Sequence, residues 1–377
     1  MAQRTGTPGP APELAERPGS ELDGAGSRPL AGYRTNLVTM VLGLWFTSGL
    51  FLDAWAHNNV PELETFFTAW HGVFYSGFTA SAAWIVWTSR RALLERRWAM
   101  IPVGYSASLA ALVMFAVAGV GDMVWHELFG IEQSIDILFS PTHLALVTSM
   151  FVIVTTPLRA SWADRSLTGA PGFRRLLPAL GSTSLATTLV LLFLQYANVL
   201  AFHSGDVVGG LSGLDEGWTA GLVSSMAVTN LVLLAPLLAL ARRWVLPFGT
   251  AILVYASVAG LSGAVTGFNN AWMLVGLLGA ALCVDGLGRA LRPTPERPAR
   301  LRAFAAVAPV ITWSVFIATA YATAPPPHLP PDGSVDRPGA VVELYTGAPM
   351  VQGLIGLLLA CLLTADREER SGARGGR

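Results

Sequence analysis

Across 377 residues, 53% are hydrophobic and only 13% charged, and the mean hydropathy of +0.52 excludes both an ordinary soluble domain and a disordered chain. The formal net charge is zero, 24 basic residues against 24 acidic, and the outer connections carry acids and almost no bases; nucleic acid is excluded as a partner. Both cysteines, Cys283 and Cys361, sit inside apolar runs, so neither a disulfide framework nor a thiolate metal site is expected.

Residues 1–35, rich in Pro and Gly, predict a disordered cytoplasmic tail with no cleavable signal. Ten apolar runs follow, each near the ~20 residues that cross a bilayer as a helix. They cover 37–56, 66–88, 100–124, 135–157, 178–202, 217–241, 247–267, 271–290, 303–323 and 347–364. The seventh and eighth are separated by a very short turn, Gly267 to Asn270. The expected fold is therefore an all-α polytopic membrane protein of about ten transmembrane helices, arranged as five helical hairpins. Residues 36–157 form a duplicated two-hairpin unit, and 158–365 a six-helix region whose small residues suit close helix packing. That region carries a Pro-rich outer loop at 324–346, a lid or a solvated connection, and 366–377 form a second cytoplasmic tail.

Charge placement supports the division independently. With both termini in the cytoplasm, 23 of the 24 basic residues fall in the tails and the even-numbered connections, Arg289 being counted at the cytoplasmic edge of the eighth span, leaving only Arg337 outside. All 24 are arginine, and a lysine-free composition points to a high-GC bacterium and its plasma membrane.

One constellation occurs twice. Asp53, His57, Glu64 and His71 form the first copy, and Asp122, His126, Asp136 and His143 the second. In both, the acid precedes its histidine by four residues, the second acid precedes its histidine by seven, and the connection between the halves differs by three. The match extends to Phe67 with Phe139 and Thr68 with Ser140, and uses four of the six histidines.

Residues four apart share a helix face, so each Asp–His pair presents a carboxylate and an imidazole together. A spacing of seven returns to nearly the same face, which predicts Glu64 with His71 and Asp136 with His143 as pairs on the returning helix, with Glu132 on the same stripe as Asp136. Ionisable groups at that depth are costly unless paired, hydrated or bound to a cation. The donor set suits a divalent transition metal, copper, zinc or iron, with Asp53, His57, His71, Asp122, His126 and His143 as ligands. Glu64, Glu132 or Asp136 would act as catalytic base or additional ligand when such a metal activates water or an oxygen species. The plainer reading is that acids and histidines bond one another at helix ends, beside the interfacial Trp55, Trp70 and Trp125. Duplication favours function, because packing does not require the same acid and histidine spacing twice. One site per hairpin and one composite site are both compatible with the spacing.

Other polar residues read as local. His203 with Asp206 is an interfacial pair or an extra ligand, His328 is solvated, and Asp285 pairs with Arg289 four residues on. Gln195 and Asn198 make interhelical hydrogen bonds.

The run Asp53, His57, His71 resembles the Asp-x3-His with a distant His that binds metal in the membrane in the C subunit of copper-dependent membrane monooxygenases. The resemblance covers some twenty residues per copy, with the histidines one residue farther apart in the first copy and four in the second. It implies that Asp53, His57 and His71, duplicated as Asp122, His126 and His143, are metal ligands. The expected function is a membrane metalloprotein with an outward-facing site performing redox or hydrolytic chemistry on a small or lipid-like molecule. The alternatives are a proton- or cation-coupled transporter using the same residues, and a structural subunit bound to membrane partner subunits. No phosphate-binding loop is present to make the chain an ATP-driven pump.

Overall fold

The computed structural model describes residues 28–60, 68–130, 137–325 and 341–375, with side chains as far as residue 365. Among the described residues every regular element is helical. In hydrocarbon a helix satisfies its own backbone groups, and the apolar runs of this chain take that solution. The helices are α1 Tyr33–Asn59, α2 Ala69–Leu94, α3 Tyr105–Phe129, α4 Pro141–Val154, α5 Thr156–Ala163 and α6 Phe173–Phe193. They continue with α7 Ser204–Gly210, α8 Glu216–Ala241, α9 Thr250–Val265, α10 Ala271–Leu291, α11 Pro298–Thr323 and α12 Val342–Gly375.

The chain is a polytopic membrane protein. Eight stretches are long and apolar enough to cross a membrane: α1, α3, α4 with α5, α6, α8, α10, α11 and α12. The second and seventh predicted spans are helices as well, α2 with 26 residues and α9 with 16. Gly267 and Phe268, both at positive φ, make the expected short turn into α10.

Three boundaries differ from expectation. The fourth span starts at Pro141 rather than near 135, because Ser140 caps the helix and proline suits its first turn. The fifth does not run on to 202. It ends at Phe193 and gives way to short 3-10 turns before α7. There Asn198 accepts from the amide of Leu200 at 3.1 Å, Thr229 Oγ1 accepts from the amide of Val199 at 3.2 Å, and Asn270 donates to the carbonyl of Leu200. Non-helical backbone persists within the membrane region only where protein groups satisfy it in this way. Asn198 also donates to Ser262 of α9 at 3.0 Å, from the irregular segment rather than from a helix as expected. Finally, the outer loop is shorter than predicted, since α12 begins at Val342.

Asp285 provides a further correction. Its carboxylate accepts from the amides of Ala251 (2.9 Å) and Ile252 (3.0 Å) in the first turn of α9, rather than pairing with Arg289. Helix N-termini present unpaired N–H groups and the positive end of the dipole, and a buried carboxylate satisfies both.

The first four spans are a structural repeat. Shifting α1 by the 69 residues that separate Asp53 from Asp122 carries Thr39 onto Ser108 and Phe46 onto Phe115; the 72 separating His71 from His143 carry Trp84 onto Thr156. The contacts follow the register, since Trp84 donates to Thr39 at 3.0 Å where Ser108 meets Thr156 at 2.5 Å. Within the first hairpin the helices touch backbone to backbone. A Cβ on Gly49 would lie 2.7 Å from Phe74 Cα, and one on Gly77 would lie 2.6 Å from Phe46 Cα. The second copy keeps small residues at both places, Ala118 and Ser149. Such close crossing is what brings the end of α1 against the start of α2.

Two buried cores result. One joins Phe46, Ile85, Phe115, Met150 and Ile153 with Leu185 and Leu189 of α6. The other surrounds Trp244, Phe304, Trp313 and Phe316 among the later helices.

Candidate metal centre

Asp53 and His57 lie one turn apart at the end of α1, and Asp122 and His126 repeat that placement at the end of α3. His71 and His143 stand in the first turns of α2 and α4. In each hairpin the antiparallel crossing closes a triad across the two helices. Asp53 Oδ2 lies 3.8 Å from His57 Nε2 and 3.5 Å from His71 Nε2. Asp122 Oδ2 lies 3.5 Å from His126 Nε2, and its Oδ1 lies 3.3 Å from His143 Nε2. The ligand-type atoms of each triad fall within 4.8 Å of one another.

The partner of the second histidine is therefore the aspartate of the preceding helix. The expected pairing of Glu64 with His71 and of Asp136 with His143 falls on acids outside the described residues, and α2 begins at Ala69 and α4 at Pro141. Glu64, Glu132 and Asp136 themselves lie outside the described residues. His203 joins neither triad; it pairs with Asp206 at 3.3 Å on an exposed turn.

Hydroxyls aim the imidazoles. Thr68 caps α2 by accepting from the amide of His71 at 3.1 Å, and the same oxygen lies 3.0 Å from His71 Nδ1. Ser140 repeats both contacts with His143, at 3.2 and 3.0 Å. With Nδ1–H donating to the hydroxyl, Nε2 turns a lone pair toward the aspartate, the arrangement found where a second group orients a metal-ligating histidine. The sequence held this signal, since a Ser or Thr three residues before the histidine is the spacing of an N-cap.

His126 lies between two acceptors, the Gly130 carbonyl oxygen 3.3 Å from its Nδ1 and Asp122 Oδ2 3.5 Å from its Nε2. A neutral imidazole has one N–H to give, whereas a protonated ring serves both. Asp122 is 2% exposed and Asp53 8%, so neither carboxylate is compensated by bulk water.

The donor set fits a divalent transition ion. Ligand atoms held tetrahedrally at about 2.0–2.2 Å from zinc stand roughly 3.3–3.6 Å apart, close to the 3.3–3.8 Å Asp–His spacings in both triads. Two imidazoles and a carboxylate leave a further coordination position open. Imidazole with carboxylate does not by itself choose the element.

The copies differ around this common plan. Thr142 donates to Asp122 Oδ1 at 2.7 Å, whereas the equivalent position of the first copy is Trp70, whose ring meets Trp55 edge to face at 5.8 Å. The two triads are within electrostatic reach, Asp53 feeling Asp122 and His71 feeling both histidines of the second copy. Tyr75 stands between them, its ring 6.3 Å from that of His71 on α2. Its hydroxyl lies over Gly119 of α3, where an added Cβ would meet it at 3.2 Å. Spacing gave a way to find Tyr75, because a residue four after His71 shares its face.

No protein-family model matches the chain, and neither curated proteins nor solved structures provide a match.

Proposed function

We propose that this chain is an integral membrane metalloprotein whose paired His–Asp triads each bind a divalent transition ion. The observation that carries the reading is that two imidazoles and a buried carboxylate converge twice, with the ligand-type atoms of each triad within 4.8 Å of one another. His57, His71 and Asp53 would hold one ion, and His126, His143 and Asp122 the other, in the plasma membrane of a bacterium with the triads facing outward and both termini cytoplasmic. The arginines of the described helices support that orientation, because they gather at the helix ends opposite the triads.

Once bound, the ion supplies a Lewis-acid or redox centre with an open position, and the reaction class is redox or hydrolytic. The chain's own residues position the ligand atoms, exclude bulk water from the carboxylates, and place a phenol beside His71. The resemblance to the C subunit of copper-dependent membrane monooxygenases favours copper as the first ion to try.

The test is elemental analysis of the detergent-purified protein, wild type beside His71→Ala and His143→Ala. Two ions per chain, one lost in each variant, is the expected result. A folded protein without metal after reconstitution with copper, zinc and iron overturns the reading. The same residues then fit a proton-coupled transporter, with the buried Asp and His side chains carrying protons.

A further inference from the structure

A cleft of about 770 Å³ opens between α2 and α3, and its two ends differ in chemistry. Thr68, His71 and Tyr75 line one end, at the start of α2. Phe78, Phe115, Ala116, Val120 and Met123 make most of the remaining wall. From Thr68 to Thr79, both lining residues, α2 runs about 16 Å at 1.5 Å per residue, so the cleft is long as well as wide.

The exposed part of its mouth is apolar: the α3 wall belongs to a helix apolar enough to cross a membrane, and Val120 on that wall is 62% exposed, as suits contact with acyl chains. A polar ligand arriving there would have to leave water without compensation. Two α3 lining residues are small, the exposed Ala116 and Gly119, and the Tyr75 hydroxyl packs over Gly119, 3.2 Å from where a Cβ would lie. A volume in the range of ligand pockets, apolar walls and a few polar groups at one end describe a site for an elongated amphiphile.

We propose that this cleft binds an amphiphile drawn from the bilayer, one alkyl chain lying against Phe78 and Ala116 and a hydroxyl or carboxyl end group at Tyr75 and His71. The lateral opening admits the chain without carrying it through water. The polar end places the head group beside the Nε2 edge of the first triad. What happens to that head group rests on the metal reading; binding in the cleft does not.

The probe is a long-chain fatty alcohol carrying a diazirine on its terminal carbon, irradiated with the full chain in phospholipid nanodiscs and mapped by peptide mass spectrometry. Label concentrated on the α2 and α3 peptides containing Phe78 and Ala116 is expected, with severalfold loss on adding unlabelled alcohol. Ala116→Phe, which fills the cleft and touches no triad residue, reduces that label severalfold, while Leu354→Phe on the exposed face of α12 leaves it unchanged. Label spread evenly over lipid-facing helices, or insensitive to unlabelled alcohol in the wild type, overturns the proposal without reliance on any variant. Metal content read on the same samples separates the two readings. Localised label on metal-free protein upholds the cleft alone, and bound ions with dispersed label uphold the triads alone.

Discussion

Phe46 and Phe115 hold equivalent places in the two copies, seven residues before the aspartate of each, and their rings meet edge to face at 5.1 Å. Equivalent residues that touch each other mark a local pseudo-two-fold axis between the hairpins. Both side chains are fully buried, and Phe74 and Phe78 close around Phe115 at 5.8 and 4.2 Å. Truncating either ring removes packing on both sides of the axis. Phe46→Ala and Phe115→Ala should each cost about 3–5 kcal/mol. The double variant should cost less than the sum, a coupling on the order of 1 kcal/mol, read by chemical denaturation in mixed micelles.

The approach of α1 to α2 through Gly49 and Gly77 sets the distance between Asp53 and His71. Gly77→Ala forces its methyl onto Phe46 Cα at 2.6 Å and must separate the helices. Loss of the ion from the first triad, with the second retained, is the expected outcome in metal titrations of the variant.

Thr142 holds Asp122 in place with a 2.7 Å hydrogen bond. Thr142→Val keeps the shape and removes the donor. Affinity at the second triad should fall about 10–100-fold, the usual effect of losing a group that orients a ligand. Thr142→Ser should restore it, and the first triad should be unaffected in both.

Acid should release the ions. Each triad would bind metal through two neutral imidazoles, so protons compete with the ion and affinity falls as the pH is lowered. The sign follows from the charge: the protonated ring has no lone pair to give. Competition dialysis at progressively lower pH should show affinity falling with up to two protons taken up per ion lost. Ion release with no proton uptake would mean that the histidines are not the ligands.

The irregular segment after α6 predicts a separable effect. Asn198 is buried and bonds Ser262, Gln195 and the amide of Leu200. Asn198→Leu leaves those partners unsatisfied and should destabilise the later helices by about 1–3 kcal/mol, with metal content unchanged.

Much of the fold was legible because a membrane span announces itself by composition. Each of the ten apolar runs falls on a helix, eight of the helical stretches being long and apolar enough to cross a membrane. The triads were legible in part: six ligand-type residues stood out because their spacing repeats. What the spacing could not give was the partner. Asp53 meets His71 across two helices, and that meeting depends on Gly49 and Gly77, whose contribution is the absence of a side chain. The break after Phe193 was hidden for a related reason. Its backbone is satisfied by Thr229 and Asn270, far along the chain, and no local pattern records such partners. Thr142 and the carbonyl of Gly130 were missed because neither is a residue type that draws attention as a ligand.

Thr68 and Ser140 each use one oxygen for two tasks, accepting the amide that begins a helix and fixing the imidazole that completes a triad. The start of α2 and the set of the His71 ring are thus one equilibrium, as are those of α4 and His143. Whatever grips Nε2 also tightens the first turn, and whatever frays the turn loosens the grip. An occupied triad would be felt by the connection that precedes each helix, which gives these hairpin ends the means to report their own occupancy.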